Sequence, residues 1–248
     1  MLLARRQALL AFALTPFMRS AVAGDSQAEP RATLRLLVIG DSLAQGLATT
    51  LYHRVRPLAG VSILPEGVHS TGFTRYHQLD WQARLTELLT ARRVDAVAMW
   101  MGLNDFRPMV DPESRRRYDF NSPEWLAVYA ARVDGLIEVA ARARIPIFWL
   151  GMPVLRDATN NSGMRIIDAV QRERVERLRE TWISTAVLTS APDGGYLAFL
   201  EDARGPRRLR ADDGAHFTEL GYRIVADGLL AAIAERLPQY RPILAAGQ

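Results

Sequence analysis

Seven residues, Leu34-Arg35-Leu36-Leu37-Val38-Ile39-Gly40, run directly into Asp41-Ser42, and Leu43, Leu47 and Leu51 follow at helical spacing. A short, leucine-rich and β-branched run stopped by glycine reads as a buried parallel strand that turns straight into a helix. Ser42 then stands at the strand's carboxyl end. In open α/β sheets ligands bind at that edge, and a helix N-terminus presents free N–H groups and the positive end of its dipole there. Gly-Asp-Ser is a short motif, and Asp and Ser are also ordinary helix caps, so the rest of the chain must supply the partners of a reactive serine.

The same alternation continues along the chain. Val61–Pro65 predicts a second strand, and Asp80 a cap for a helix with Trp81, Leu85, Leu88 and Leu89 on one stripe. Val94–Met101 predicts a third strand, closed by Gly102-Leu103-Asn104-Asp105. A polar loop from Phe106 to Asn121 carries Arg107 and Arg115-Arg116-Arg117. Ser122-Pro123-Glu124 is a strong helix start, with cap, first-turn proline and first-turn acid. Ile145–Leu150 predicts the fourth strand. An asparagine-rich loop containing Arg156 is expected to reach Gly163, and a charged helix to reach about Trp182. Ala186–Thr189 is expected to be the fifth strand. An irregular stretch with Arg207, Arg208 and Arg210, read as solvated, leads to Asp213-Gly214-Ala215-His216, and Thr218 is expected to cap the last helix. Five strands alternating with helices predict an α/β fold: a three-layer α/β/α domain around a five-stranded parallel sheet.

The first 23 residues differ from the rest. Arg5-Arg6, an apolar stretch from Ala8 to about Met18 and Ala21-Val22-Ala23 have the form of an export signal with a small-x-small cleavage site. The paired arginines fit either a twin-arginine or an ordinary secretory signal. The stretch is shorter than the roughly 20 residues that span a bilayer. The expected organisation is a signal at 1–23, a leader at 24–33, a domain at 34–240 and a tail at 241–248. An exported location, periplasmic or secreted, follows, with no membrane span once the signal is removed.

Composition excludes several chemistries. The net charge is +4, but three arginines of the signal supply most of it and the remainder carries +1, which does not suggest a nucleic-acid partner. Lysine is absent from all 248 residues, so a Walker-type phosphate loop is excluded. Cysteine is also absent, which removes thiolate nucleophiles, thiolate metal sites and disulfides. His53, His69 and His77 stand at no metal-ligand spacing, and no metal is expected. Ser42 lacks the G-x-S-x-G elbow of α/β-hydrolases, and Gly40–Gly46 lacks the G-x-G-x-x-G spacing of dinucleotide binders.

Taken in order, Gly40-Asp41-Ser42, Gly72, Gly102-Leu103-Asn104-Asp105 and Asp213-Gly214-Ala215-His216 resemble the four blocks of SGNH (GDSL-type) hydrolases. The likeness extends from about Leu34 to Leu237 and implies their flavodoxin-like fold. It implies Ser42 as nucleophile, His216 as general base and Asp213 as the carboxylate that orients it. The oxyanion hole would be the N–H of Ser42, the N–H of Gly72 (Gly67 being the neighbouring alternative) and the amide of Asn104. Asp41 is read as ordering the turn. Arg107 and Arg156, on loops after the third and fourth strands, are candidate substrate contacts.

These types suit the chemistry in their own right. Serine is a weak nucleophile until a base lies within hydrogen-bond reach, histidine is the usual base near neutral pH, and an amide can stabilise an anion without titrating. The expected activity is ester hydrolysis through an acyl-serine intermediate, without cofactor. The expected substrate is a small acyl ester or an acylated polysaccharide, with a carbohydrate O-acetyl ester of the cell envelope first. An O-acyltransferase, a lipase or lysophospholipase, and an idle polysaccharide-binding domain are the competing readings.

Overall fold

The computed structural model describes residues 33–111 and 114–246. The expected export signal, and all of the leader except Thr33, lie outside the described residues. Five parallel strands form the sheet: β1 (Leu34–Gly40), β2 (Val61–Gly67), β3 (Ala96–Trp100), β4 (Ile147–Leu150) and β5 (Thr181–Ile183), in the order β2-β1-β3-β4-β5. The three inner strands are nearly continuous apolar runs, buried on both faces as parallel strands between helices must be. The edge strand β2 is only half-buried and accommodates Pro65, which an inner strand could not.

Helices cover both faces. The helices α1 (Ser42–Val55) and α6 (Glu219–Arg236) pack on each other in one layer. In the other layer α2 (Trp81–Ala91) packs on α3 (Pro123–Arg142), and α3 packs on α4 (Ala158–Arg177). Side-chain caps open two of these helices as expected: Asp80 accepts from Gln82 and Ala83 N–H, and Ser122 from Trp125 N–H. Among the described residues no helix is long and apolar enough to cross a membrane. Connections from β1 run outward to β2 and back across to β3, so the winding reverses between β1 and β3. The carboxyl ends of these two strands flank the crevice that such a reversal opens.

The region from Arg156 to Thr189 departs from expectation. The helix α4 begins at Ala158, so Asn160 to Gly163 are helical and not loop. Asp157 caps it by accepting from Asn160 N–H at 2.7 Å, and Asn161 Oδ1 accepts from Leu155 N–H at 2.9 Å, which uses asparagine to fasten the helix start. It ends at Arg177 and not near Trp182. Arg179 takes the left-handed conformation (φ 60°) that usually marks glycine, so the stop carried no composition signal. The fifth strand is Thr181–Ile183, whereas Ala186–Thr189 lies in a short helix α5 (Thr185–Thr189). Ser184 caps that helix through Val187 N–H, and Thr189 Oγ1 donates back to Thr185 C=O at 2.6 Å, so local hydroxyl bonds override β-branched propensity. Thr218 precedes α6 without a side-chain cap; its Oγ1 donates to Arg208 C=O at 2.8 Å. Past the boundary expected at 240, Arg241–Ala245 forms a further short helix with Leu244 buried. Within the polar loop after β3, Met109–Val110 pairs antiparallel with Arg117–Tyr118, and Arg115, Arg116 and Arg117 are exposed.

Candidate active site

The site is assembled around a buried carboxylate. Gly40 ends β1 at φ 138°, and a Cβ there would stand 1.9 Å from Trp100 C=O, so only glycine fits between β1 and β3. Asp41, fully buried, then caps α1 by accepting from Leu43 N–H at 2.9 Å through one oxygen. Its other oxygen accepts from Gly102 and Leu103 N–H, each at 3.0 Å. One side chain therefore fixes both the start of α1, where Ser42 is the first residue, and the turn that presents Asn104. Burial pushes the Asp41 carboxyl up to about 6, against the pull of these N–H groups.

Asp105 performs the matching task on the β2 side. It is fully buried and accepts from Phe73 N–H (3.1 Å), Thr74 N–H (2.9 Å), Thr74 Oγ1 (2.8 Å) and Tyr129 Oη (3.0 Å). Its burial raises its pKa. Gly72 lies against this carboxylate: its φ of 175° suits any residue, but a Cβ would come 2.2 Å from Asp105 Oδ1. The need for glycine is thus space for Asp105 and not backbone freedom. Asn104 Nδ2 donates to Thr71 C=O at 3.0 Å, which ties the two loops together and leaves the second N–H of the amide free of any described partner. Gln171 completes the support, donating to Met101 C=O (2.8 Å) and Tyr129 Oη (2.9 Å) while accepting from Trp149 Nε1 (3.1 Å).

His216 arrives from the other end of the chain. Its Nε2 lies 2.7 Å from Ser42 Oγ, and its Nδ1 lies 2.6 Å from Asp213 Oδ2. Burial of Asp213 works against its ionisation, but N–H bonds from Ala215 and His216 and the imidazole itself outweigh it and hold the carboxyl at about 2. An ionised carboxylate only accepts, so Nδ1 carries the ring proton and Nε2 is left to accept from the Ser42 hydroxyl. Such a chain can draw a proton from serine as its oxygen attacks an acyl carbon.

Arg210, expected to be solvated, is 1% exposed. Its guanidinium donates to Ala215 C=O (2.7 Å), Val154 C=O (2.8 Å) and His216 C=O (3.3 Å), and lies over the rings of Phe217 (4.1 Å) and Tyr196 (5.0 Å). Three carbonyls and two ring faces replace the water that this cation loses. Burial lowers its pKa to about 10, which leaves it charged at neutral pH. Sequence reading missed Arg210 because Arg207 and Arg208, its near neighbours in an arginine-rich stretch, do face solvent or surface acids. Asp105 stood in a motif already singled out; its backbone partners thirty residues upstream gave no local sign.

The remaining candidates fall as follows. Arg156 donates from Nη2 to Asp212 C=O (2.7 Å) and packs over Gly214, whose φ is 73°, so it braces the Asp213 turn. Gly67, at the end of β2, packs against Gln45. Arg107 is exposed beside Asp105, its N–H bonded to Asp105 C=O at 2.7 Å. A groove of about 910 Å³ between α1 and α6 includes Gly46, one helical turn from Ser42, and Phe217, next to His216; its lining is more apolar than polar, with Thr49, His53, Glu219 and Arg223 as polar side chains along it. Among the described residues no cluster of His, Asp and Glu is set to hold a metal ion.

Two outcomes test this construction. Because the folded pKa of Asp41 exceeds its unfolded value, its contribution to stability is complete below pH 3.8 and disappears as pH rises through about 6. The gap in unfolding free energy between wild type and Asp41→Asn is therefore expected to widen by about 2 kcal/mol from pH 7 to pH 4 in urea titrations. Replacing Arg210 by Met is expected to cost about 3 kcal/mol, since three partly buried carbonyls lose their donor. Arg210→Lys should recover less than half of that, because one ammonium cannot reach all three.

No curated protein matches the sequence. Solved structures do share the fold. A GDSL-like lipase from Bacteroides thetaiotaomicron VPI-5482 is 15% identical, with 82% of this chain and 89% of that one covered and a TM-score of 0.56. An acetylxylan esterase from Geobacillus stearothermophilus is 18% identical, with 82% and 95% covered and a TM-score of 0.55. At such identities the likeness establishes the fold, which is the flavodoxin-like α/β fold of SGNH (GDSL-type) hydrolases. By the match of its residues 35–232 to the family model described as "Protein of unknown function (DUF459)", the chain belongs to the DUF459 family.

Proposed function

We propose that this protein is a serine ester hydrolase that works through an acyl-Ser42 intermediate. The observation that carries the reading is the hydrogen-bonded series Ser42 Oγ, His216, Asp213, at 2.7 and 2.6 Å, beside the amide of Asn104. Ser42 Oγ attacks the acyl carbon while His216 Nε2 takes its proton; Asp213 stabilises the imidazolium. The oxygen that gains charge is received by the N–H of Ser42, by the N–H of Gly72 and by the free N–H of Asn104. The first is unpaired because it opens a helix. Loss of one such donor typically costs about 3 kcal/mol in the transition state. His216 then returns the proton to the leaving alcohol, and water, deprotonated by the same imidazole, releases the acid. No cofactor takes part in these steps.

The substrate class we propose is a short-chain, chiefly O-acetyl, ester on a carbohydrate of the cell envelope. Its support is the fold shared with an acetylxylan esterase, together with the polar side chains Thr49, His53, Glu219 and Arg223 along the groove that begins one helical turn from Ser42. The signal-like segment at 1–23 supports an exported protein.

The test is hydrolysis of aryl esters from acetyl to long acyl. Turnover is expected to be greatest for acetyl and to vanish in Ser42→Ala, and Asn104→Ala is expected to lower kcat a hundredfold or more without unfolding the domain. Turnover that survives Ser42→Ala, or an unaltered kcat in Asn104→Ala, would overturn the assignment.

A further inference from the structure

The two segments that carry Gly72 and Asn104 each bear an arginine three residues further along the chain. Arg75 closes the turn that Gly72 opens, its N–H bonded to Gly72 C=O at 3.1 Å. Arg107 follows Asp105 by two residues on the other segment. Asp105 grips both segments, so the backbones from which the two guanidiniums extend are fixed relative to each other.

Their charges are poorly balanced. Arg75 donates from Nη1 to Ser70 C=O at 2.8 Å, while its Nε is buried without a partner. Partial burial of Arg75 disfavours its charge first, Arg107 adds repulsion, and Asp105 attracts it. Asp105, however, already accepts four hydrogen bonds and lies within the core. Neither Arg75 nor Arg107 forms an ion pair with a described carboxylate, whereas Arg84 pairs with Glu66 and Glu87, and Arg174 with Asp134. Arg132, on the other side of the same turn, is occupied by Phe73 C=O and lies over the ring of Tyr76. Two guanidiniums on the segments that carry Gly72 and Asn104, neither neutralised by a described carboxylate, can together receive an anion.

We propose that Arg75 and Arg107 bind a carboxylate of the substrate next to its scissile ester, so that the enzyme is selective for O-acetylated acidic glycans over neutral ones. The proposal rests on the ester-hydrolase reading. Planar guanidinium suits a carboxylate better than an ammonium does, because its N–H groups can engage both oxygens. Held there, a sugar carboxylate would fix the acyl-bearing ring relative to Ser42. Its effect falls on KM where it acts equally in the ground and transition states.

The experiment compares acetate release from O-acetylated oligogalacturonides and from neutral O-acetylated xylo-oligosaccharides at low ionic strength. The KM for the acidic substrate is expected to be about tenfold lower, and this preference is expected to disappear in Arg107→Gln and to weaken at high salt. Equal KM values in the wild type, or an unchanged preference in Arg107→Gln, would overturn the subsite. Arg107 is exposed, so its variant is expected to fold; Arg75→Gln serves as the second variant. Binding of unacetylated trigalacturonate to the Ser42→Ala protein, followed by calorimetry, tests the subsite without turnover. Arginine-dependent binding there supports it, and no binding overturns it. If inorganic phosphate binds with the same arginine dependence and trigalacturonate does not, the carboxylate assignment fails. Hydrolysis of 4-nitrophenyl acetate by wild type against Ser42→Ala tests the esterase reading apart from the subsite.

Discussion

The geometry depends first on the hydrogen bonds accepted by the buried carboxylate of Asp41. A carboxyl group in an apolar interior is costly unless donors surround it. Asp41 meets that demand with N–H groups from two separate places in the chain, the start of α1 and the turn after β3. The same bonds that stabilise the charge set the distance between Ser42 and Asn104. Gly40 and Gly102 make this possible, each with positive φ and each with neighbouring atoms where a Cβ would stand.

Two further buried charges extend the principle. Asp105 binds the backbone after β2 to the loop after β3, and Arg210 gathers carbonyls from the loop after β4 and from the segment holding His216. Each of the three uses backbone groups of irregular segments that would otherwise be buried without partners. Mobile surface loops would scatter Ser42, Gly72, Asn104 and His216, whereas loops fastened to buried charges hold them near one edge of the sheet. Preorganised donors of this kind are what an oxyanion site requires, since their orientation need not be created during reaction.

Much of this was legible in the sequence. The inner strands were readable because burial on both faces leaves continuous apolar runs, and the blocks around Ser42 and Asn104 stood at the carboxyl ends of the first and third strands, with that of His216 just before the last long helix. The fifth strand was not legible: Thr181–Ile183 is too short to show a period, and Arg179 takes the left-handed turn just past the end of α4 where glycine would have announced the stop. Asn160 and Asn161 read as loop because their role, fastening a helix start, depends on bonds with Asp157 and Leu155. Arg210 was hidden among arginines of like appearance, since one-dimensional composition cannot tell which of three enters the core.

The most direct measurement of the central claim is labelling with a fluorophosphonate, which reacts with a serine only when a base and an oxyanion site activate it. Intact mass and peptide mapping are expected to show one adduct, on Ser42, lost in His216→Ala. A folded protein that takes no label, or takes it at another residue, would contradict the account.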